Sequence, residues 1–381
     1  MNGRAFKLGT FARPNGNPYA AIVLGDEVVD LTRAYEIYRA SAHRNALTST
    51  NSILDVLQNW DANFPVLQEI VAFLDKEGLK PGAANLSGAR ALPPVLRPGK
   101  MFYAAQNFQE HVDEMIRASM SPAGGPRFTG EKSTTRPYLF LKAPSCLAGA
   151  YDDIQIPLGM SKIDWEAEIA LAIGKKGKRI NAQRALEHIA GFMTTNDVSC
   201  RDLQIRADRP ALRSDWLGGK SHDSFAPIGP FLVPRTFVPD HMNLFIRLTV
   251  NGEVKQNGNT SQLIFTPEEQ IEYASSILTL EPGDIFSCGT VAASARAPTA
   301  SSKSAMSWRP RSRVWARCAT ASSPKRPNRP HETVQGESLP ASAPSDATAV
   351  QLSVVVGQGL RGCPRVMVTP SSFASSPNIE R

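Results

Sequence analysis

Apolar and polar residues alternate along Phe6 to Thr10, Tyr19 to Leu24 and Glu27 to Asp30, separated by the turn signals Pro14-Asn15-Gly16 and Gly25-Asp26. A period of two between such breaks predicts a small antiparallel sheet. The period then lengthens, predicting helices over Thr32 to Ala40 and Val66 to Glu77, the second closed by Gly78 and the Lys80-Pro81-Gly82 turn. The Pro-rich stretch Leu92 to Lys100 marks a boundary between units. Beyond it short strands dominate: Tyr138 to Lys142, Glu166 to Ile173, Gly191 to Asn196, Leu244 to Val250 and Asp284 to Cys288, with Asn251-Gly252 as a hairpin turn. No internal repeat is present. The pattern divides the chain into 1–97, a small N-terminal domain, 98–290, a strand-rich domain, and a tail over 291–381.

That division changes the meaning of the charge. The formal net charge is +7, yet residues 291–381 hold 12 Lys and Arg against 4 Asp and Glu, which leaves the body near neutrality. The body therefore offers no basic surface for nucleic acid or an anionic membrane. Five cysteines without C-x-x-C spacing read as reduced thiols of a cytoplasmic protein. No apolar run approaches a membrane span and no signal-peptide core opens the chain, so a soluble protein is expected.

The chemistry begins at Glu166 and Glu168. Spaced i, i+2 among β-prone residues, they place two carboxylates on one strand face, where they repel unless a cation lies between them. Asp197 follows about thirty residues on, and three acids without Cys or His partners suit a hard divalent metal. The plain alternative is the wet face of an edge strand. His111 and Glu114 fall three apart on a helix that Asn107 can cap, a spacing that lets the carboxylate orient the imidazole as a general base. An ordinary surface pair has the same spacing. Lys142 and Lys220 sit beside Pro and Gly turns, as oxyanion partners or as loop lysines.

Taken in order, Asn107-Phe108-x-x-His111-x-x-Glu114, Leu141-Lys142-x-Pro144-Ser145, Trp165-Glu166-x-Glu168, Asn196-Asp197-Val198-Ser199-x-Arg201-Asp202-x-Gln204, Gly219-Lys220-Ser221-x-Asp223 and Ser287-x-Gly289-Thr290 resemble the fumarylacetoacetate hydrolase family across 101–290. The resemblance implies an α+β, mainly β fold: a mixed β-roll catalytic domain behind a small N-terminal α/β domain. It implies a homodimer, given an intact C-terminus, that binds Mg²⁺, or Mn²⁺ or Ca²⁺, through Glu166, Glu168 and Asp197 and acts on a small 2-oxo or β-diketo acid. Under it His111, backed by Glu114, activates water or moves a proton, Lys220 is catalytic, and Lys142, Gln204 and Thr290 contact substrate. The implied reaction is C–C hydrolysis of a fumarylacetoacetate- or acylpyruvate-like acid, as in catabolism of aromatic compounds. Hydration, isomerisation or decarboxylation of a 2-oxo acid are the alternatives. Val198 replaces a family Trp and His222 a family Phe, departures expected to reshape the pocket.

After Thr290 the chain leaves the family pattern and becomes rich in Ser, Pro and Arg, a composition that predicts disorder. Codons compatible with Ser301 to Thr320, read one base earlier, can encode alternating strands about a Gly-Asp turn, which is how the family's C-terminus looks. A one-base deletion near the codons of Thr290 and Val291 accounts for this, and it makes an inactive family member a further alternative. The rival reading is a nucleic-acid arm, since Arg309, Arg311, Arg313 and Arg317 cluster with Trp308 and Trp315. Gly357-Gln358-Gly359-Leu360-Arg361-Gly362 has the spacing of a dinucleotide fingerprint, but Cys363-Pro364 breaks the helix that would follow.

Overall fold

The computed structural model describes residues 4–41, 44–117, 131–212 and 214–292, and the backbone of 300–301, 306–308 and 350–358. The alternating N-terminal segments form a five-stranded sheet in the order Ala84–Asn85, Glu27–Asp30, Pro18–Leu24, Lys7–Ala12, Arg90–Leu92. Helix Leu31–Ala40 starts where the Asp30 carboxylate accepts from the N–H groups of Thr32 and Arg33. Helix Trp60–Glu77 begins six residues before the expected start. Pro65 lacks the N–H for the Asp61 carbonyl, but burial of Trp60 and Asn63 carries the helix back through it. Helices Ile53–Gln58 and Pro267–Ile277 are additional to the sequence reading.

The N-terminal unit docks on the body through shared backbone and a continuous core. Leu8 and Leu232 exchange N–H···O bonds of 2.9 and 2.8 Å, Thr10 Oγ1 donates to Pro94 O at 2.8 Å, and Phe6 meets Phe237 edge-on at 5.2 Å.

The body is built on an eight-stranded sheet. Its path runs Tyr138–Leu141, Met101–Ala105, Ile285–Thr290, Ala167–Ile173, Ile189–Asn196, Ala226–Ile228, Leu147–Gly149, with Val233–Pro234 also on Ile189–Asn196. Ala167–Ile173 lies at its centre with all seven residues buried, as an apolar run covered on both faces requires. The wet-edge alternative for Glu166 and Glu168 is thereby overturned.

Leu244–Val250 and Glu253–Asn259 form the expected hairpin, whose Asn251 (φ 50°) and Gly252 (φ 84°) adopt the left-handed conformations that a two-residue turn needs. Three stretches of the tail are strand. Residues 350–358 pair antiparallel with Leu244–Val250, 306–308 lie between 350–352 and 153–154, and 300–301 pair with 162–163. Apart from Val291 and Ala292, the remainder of the tail, for which the sequence predicts disorder, lies outside the described residues, as do Cys318 and Cys363. Cys146, Cys200 and Cys288 are free and buried. Among the described residues no helix is long and apolar enough to cross a membrane.

An ion pair ties the hairpin's approach to the helix after it. His241 Nε2 lies 2.8 Å from Glu268 Oε1 in the first turn of Pro267–Ile277, and the imidazole stacks on Phe192 at 5.5 Å. Burial pushes the Glu268 carboxyl up, but His241 and a helix N–H outweigh it and hold the carboxyl below its ordinary value of 4.5. A carboxyl lowered on folding contributes stability above its unfolded value and loses it as pH falls through the folded one. Glu268→Gln is expected to cost roughly 1–2 kcal/mol at pH 7 and to flatten the decline of stability below pH 4.5. Urea unfolding between pH 3 and 7 checks both.

Candidate metal centre

Two adjacent strands bring the acids together. Glu166 precedes Ala167–Ile173, Glu168 is its second residue, and Asp197 follows the end of Ile189–Asn196, which pairs with it in the register Ala167 to Asn196. The Asp197 N–H donates to Glu166 O and the Glu166 N–H to Asn196 Oδ1, both at 2.8 Å. One oxygen from each of the three buried carboxylates lies within 4.8 Å of the others.

Three cations from three other segments face them. Lys220 Nζ donates to Glu166 Oε2 at 2.8 Å and to Asp197 Oδ2 at 2.6 Å. Lys142 Nζ donates to Asp197 Oδ1 at 2.6 Å, Phe225 O at 2.7 Å and Val198 O at 3.2 Å. Arg201 Nη2 lies 2.6 Å from both Glu166 and Asp164. Burial alone would push the Glu166 carboxyl up, but Lys220 and Arg201 outweigh it and hold it well below the usual carboxylate range. Glu168 goes the other way. Burial and then the charges of Asp197 and Glu166 push its carboxyl well above that range, against the opposing bonds from Ser287.

The second oxygen of Glu168 states what the centre lacks. Its Oε2 accepts from Ser287 Oγ and, at 2.8 Å, from the Gly289 N–H, while Oε1 is buried with no hydrogen-bond partner among the described residues. A buried carboxylate oxygen aimed among two further carboxylates calls for a cation or a proton. Three hard oxygen donors without thiolate or imidazole fit Mg²⁺, Mn²⁺ or Ca²⁺.

Local sequence explains the placement. Gly218 and Gly219 let helix Trp216–Lys220 close down, since a Cβ on Gly219 would lie 3.1 Å from Gln204 Cα, and Trp216 stacks on Phe140 at 4.5 Å. Gly289 has φ 102°, and a Cβ there would lie 2.8 Å from Asn107 Cβ. Only glycine can therefore present this N–H to Glu168. Asn107 is a cross-link and not the expected helix cap. Its Nδ2 donates to Cys288 O at 2.7 Å and Phe265 O at 2.9 Å, and its Oδ1 accepts from the Phe265 N–H.

His111 and Glu114 share one face of helix Gln109–Arg117, with His111 Nδ1 3.1 Å from Glu114 Oε2. The imidazole lies close enough to Glu166 to lower that carboxyl further. Gln204 Oε1 accepts from Arg201 Nη1 at 2.6 Å. The Thr290 hydroxyl is buried and donates to Ala167 O at 3.0 Å. The ammonium of Lys142 is fully buried and directed at protein acceptors beneath Asp197. Val198 is core, and its carbonyl is one of those acceptors. His222 Nε2 lies 2.7 Å from Gly218 O, and its ring packs against Phe225 at 4.9 Å. The sequence reading gave no role to Ser287, Asn196, Arg201 or Gln256. The first three stand inside the quoted motifs, whereas Gln256 lies on a hairpin strand with no chemical signature of its own.

The family model described as fumarylacetoacetate (FAA) hydrolase C-terminal matches residues 100–323 and so runs past Thr290. The chain is 39% identical over 199 residues to the mitochondrial oxaloacetate tautomerase FAHD2A of Homo sapiens, covering 52% of this chain and 58% of that protein. It is 40% identical over 195 residues to an uncharacterized protein of Pyrococcus abyssi, covering 51% of this chain and 79% of that one. Among solved structures it resembles the fumarylacetoacetate hydrolase of Exiguobacterium antarcticum, at 26% identity and a TM-score of 0.53 over 75% of this chain and 86% of that one. The 2-hydroxyhepta-2,4-diene-1,7-dioate isomerase of Mycobacterium marinum is similar at 26% identity and a TM-score of 0.51 over 75% and 88%.

Lys142→Met removes a buried positive charge and leaves Asp197 undercompensated. It is expected to lower the unfolding free energy by roughly 3–5 kcal/mol, measured by urea unfolding at neutral pH.

Proposed function

The chain belongs to the fumarylacetoacetate hydrolase family, and from that premise we propose a divalent-metal-dependent enzyme that moves a proton at the carbon beside the carbonyl of a small 2-oxo acid. The observation that carries the reading is the set of three buried carboxylates with the orphaned Glu168 oxygen, flanked by Lys220 and the His111–Glu114 pair. Keto–enol exchange of an oxaloacetate-like acid is the preferred reaction, because relatives such as the human and rat proteins, at 39% and 38% identity, carry that name. The chain spans 58% of the length of each.

Held by Glu166, Glu168 and Asp197, a divalent cation would supply Lewis acidity to the substrate carbonyl and to the enolate charge. The chain's own residues do the rest. Glu114 accepts from His111 Nδ1–H, which leaves Nε2 as the base that takes the proton from carbon and passes it to the enolate oxygen in forming the enol, and runs the same transfer in reverse to form the ketone. Lys220 adds a positive charge beside the carboxylates and in this proposal donates to a developing enolate oxygen. Gln204, oriented by Arg201, faces the substrate in this proposal, whereas the buried Thr290 hydroxyl is committed to the Ala167 carbonyl and Lys142 secures Asp197 from below. A homodimer, a cytoplasmic location and a place in the breakdown of aromatic compounds belong to the same proposal. C–C hydrolysis of a β-diketo acid is the second reading, favoured by the same His111–Glu114 pair, since a base so oriented can also activate water.

Replacing Glu166, Glu168 and Asp197 together by Ala is expected to abolish calorimetric binding of Mn²⁺ by the folded protein. Retained binding would remove the metal assignment. His111→Ala is expected to slow oxaloacetate tautomerisation, followed by loss of enol absorbance, about 10²–10⁴-fold with Mn²⁺ affinity unchanged. Joint loss of binding and turnover would make His111 a ligand or a structural residue.

A further inference from the structure

Three hydrogen bonds close a ring around the Ala167 peptide, the link between two of the carboxylates. The Ala167 N–H donates to Gln256 Oε1 at 2.8 Å, Gln256 Nε2 donates to Thr290 Oγ1 at 2.8 Å, and Thr290 Oγ1 donates to Ala167 O at 3.0 Å. Gln256 Nε2 makes a further bond, to Val291 O at 2.6 Å, and the residue is 2% exposed.

The ring sits where the sheet's own ladder is irregular. Pairing between Ala167–Ile173 and Ile285–Thr290 shifts register between Glu168 and Ala170. A bulge leaves backbone groups without ladder partners and changes where the neighbouring side chains aim. Gln256 supplies an acceptor for the Ala167 N–H and a donor for Thr290 Oγ1 and Val291 O, and it does so from the Glu253–Asn259 strand of the hairpin, outside the sheet that carries the acids. On the other side of the same peptide run, Asn196 Oδ1 holds the Glu166 N–H. Two side-chain amides thus clamp successive N–H groups at Glu166 and Ala167.

We propose that Gln256 is a positioning residue of the metal centre: its amide holds the Ala167 peptide and thereby sets the separation and aim of the Glu166 and Glu168 carboxylates. This rests on the metal reading above. Ligand oxygens must stand within about 0.2 Å of their proper distances, and looseness in the two peptides that join Glu166 to Glu168 through Ala167 works against that. Both halves of the amide are used, so neither a carboxylate nor an apolar isostere replaces it. Thr290 serves the clamp through its hydroxyl alone, so serine suffices there.

Mn²⁺ affinity, measured by calorimetry on the full chain, provides the test, with circular dichroism and thermal unfolding to establish that each variant is folded. Gln256→Leu and Thr290→Val are each expected to weaken Mn²⁺ binding about 10–100-fold, Thr290→Ser to retain it, and the double variant to lose less than the two single losses combined. A folded Gln256→Leu protein with unchanged Mn²⁺ affinity overturns the proposal, because a residue that only cements the core would leave the affinity alone. If Gln256→Leu does not fold, the Thr290 pair decides: equal affinities for Val and Ser overturn the clamp, unequal ones uphold it. Absence of Mn²⁺ binding by the unsubstituted protein would instead overturn the metal reading. The clamp is then judged by amide hydrogen exchange at Ala167, where faster exchange in Thr290→Val than in Thr290→Ser upholds it and equal exchange overturns it.

Discussion

Mutual repulsion among three buried carboxylates is the constraint on which the rest of this structure depends. With oxygens within 4.8 Å of one another, each pair of charges repels by roughly 3–4 kcal/mol at an effective dielectric near 20. Neutralising that repulsion requires cations brought from elsewhere in the chain. Lys142 follows the strand at one edge of the sheet, Arg201 comes from the segment after Asp197, and Lys220 ends a short helix after a Gly-Gly pair. Even so, the compensation is uneven. Lys220 and Arg201 keep Glu166 ionised, Lys142 and Lys220 bond Asp197, and Glu168 is left with a raised pKa and an oxygen without a partner among the described residues. The arrangement suits one more cation, or a proton, at Glu168.

Rigidity around that place follows from burial. Ala167–Ile173 runs through the middle of the sheet, covered on both faces, so Glu168 cannot swing toward water. The Gly289 N–H and Ser287 hydroxyl fix one of its oxygens, and Asn107 locks the strand that carries them to the segment before helix Pro267–Ile277. The N-terminal unit contributes through the core it shares with the body, supporting the sheet from the side where Leu8 meets Leu232. The hairpin reaches the centre through one amide, that of Gln256, while its far edge is paired with residues 350–358. An edge of alternating Leu244, Ile246, Leu248 and Val250 is an open template for any extended segment. That a tail stretch of Val-rich sequence pairs there is consistent with the edge, whatever the origin of the tail's composition.

Much of the fold was legible because its signals are local. Alternation and turn chemistry located the N-terminal strands, the strand Leu244–Val250 to the residue, and the Asn251-Gly252 turn. The helix ahead of Pro65 was not, because a proline reads as a boundary in sequence while burial of Trp60 and Asn63 is a property of the packed chain. Local periodicity likewise could not say whether Glu166 and Glu168 face water or the interior, since a strand at an edge and one at the centre show the same spacing of acids.

Residue types and spacing by themselves offered the carboxylate pair, the third acid, the His–Glu pair and the lysines as candidates, each beside a plainer alternative, because a sequence names the side chains of a site outright but not their surroundings. Only the tertiary structure decided their relations. Lys142, expected beside the substrate, has its ammonium beneath Asp197, and the Thr290 hydroxyl is turned to the Ala167 carbonyl. Ser287 and Gly289 bond the Glu168 carboxylate, and Gln256 bonds the Ala167 N–H between the two glutamates. Those assignments depend on which strands are neighbours and where their register slips. Contacts of that kind join residues about thirty to more than a hundred positions apart, and no local pattern encodes them.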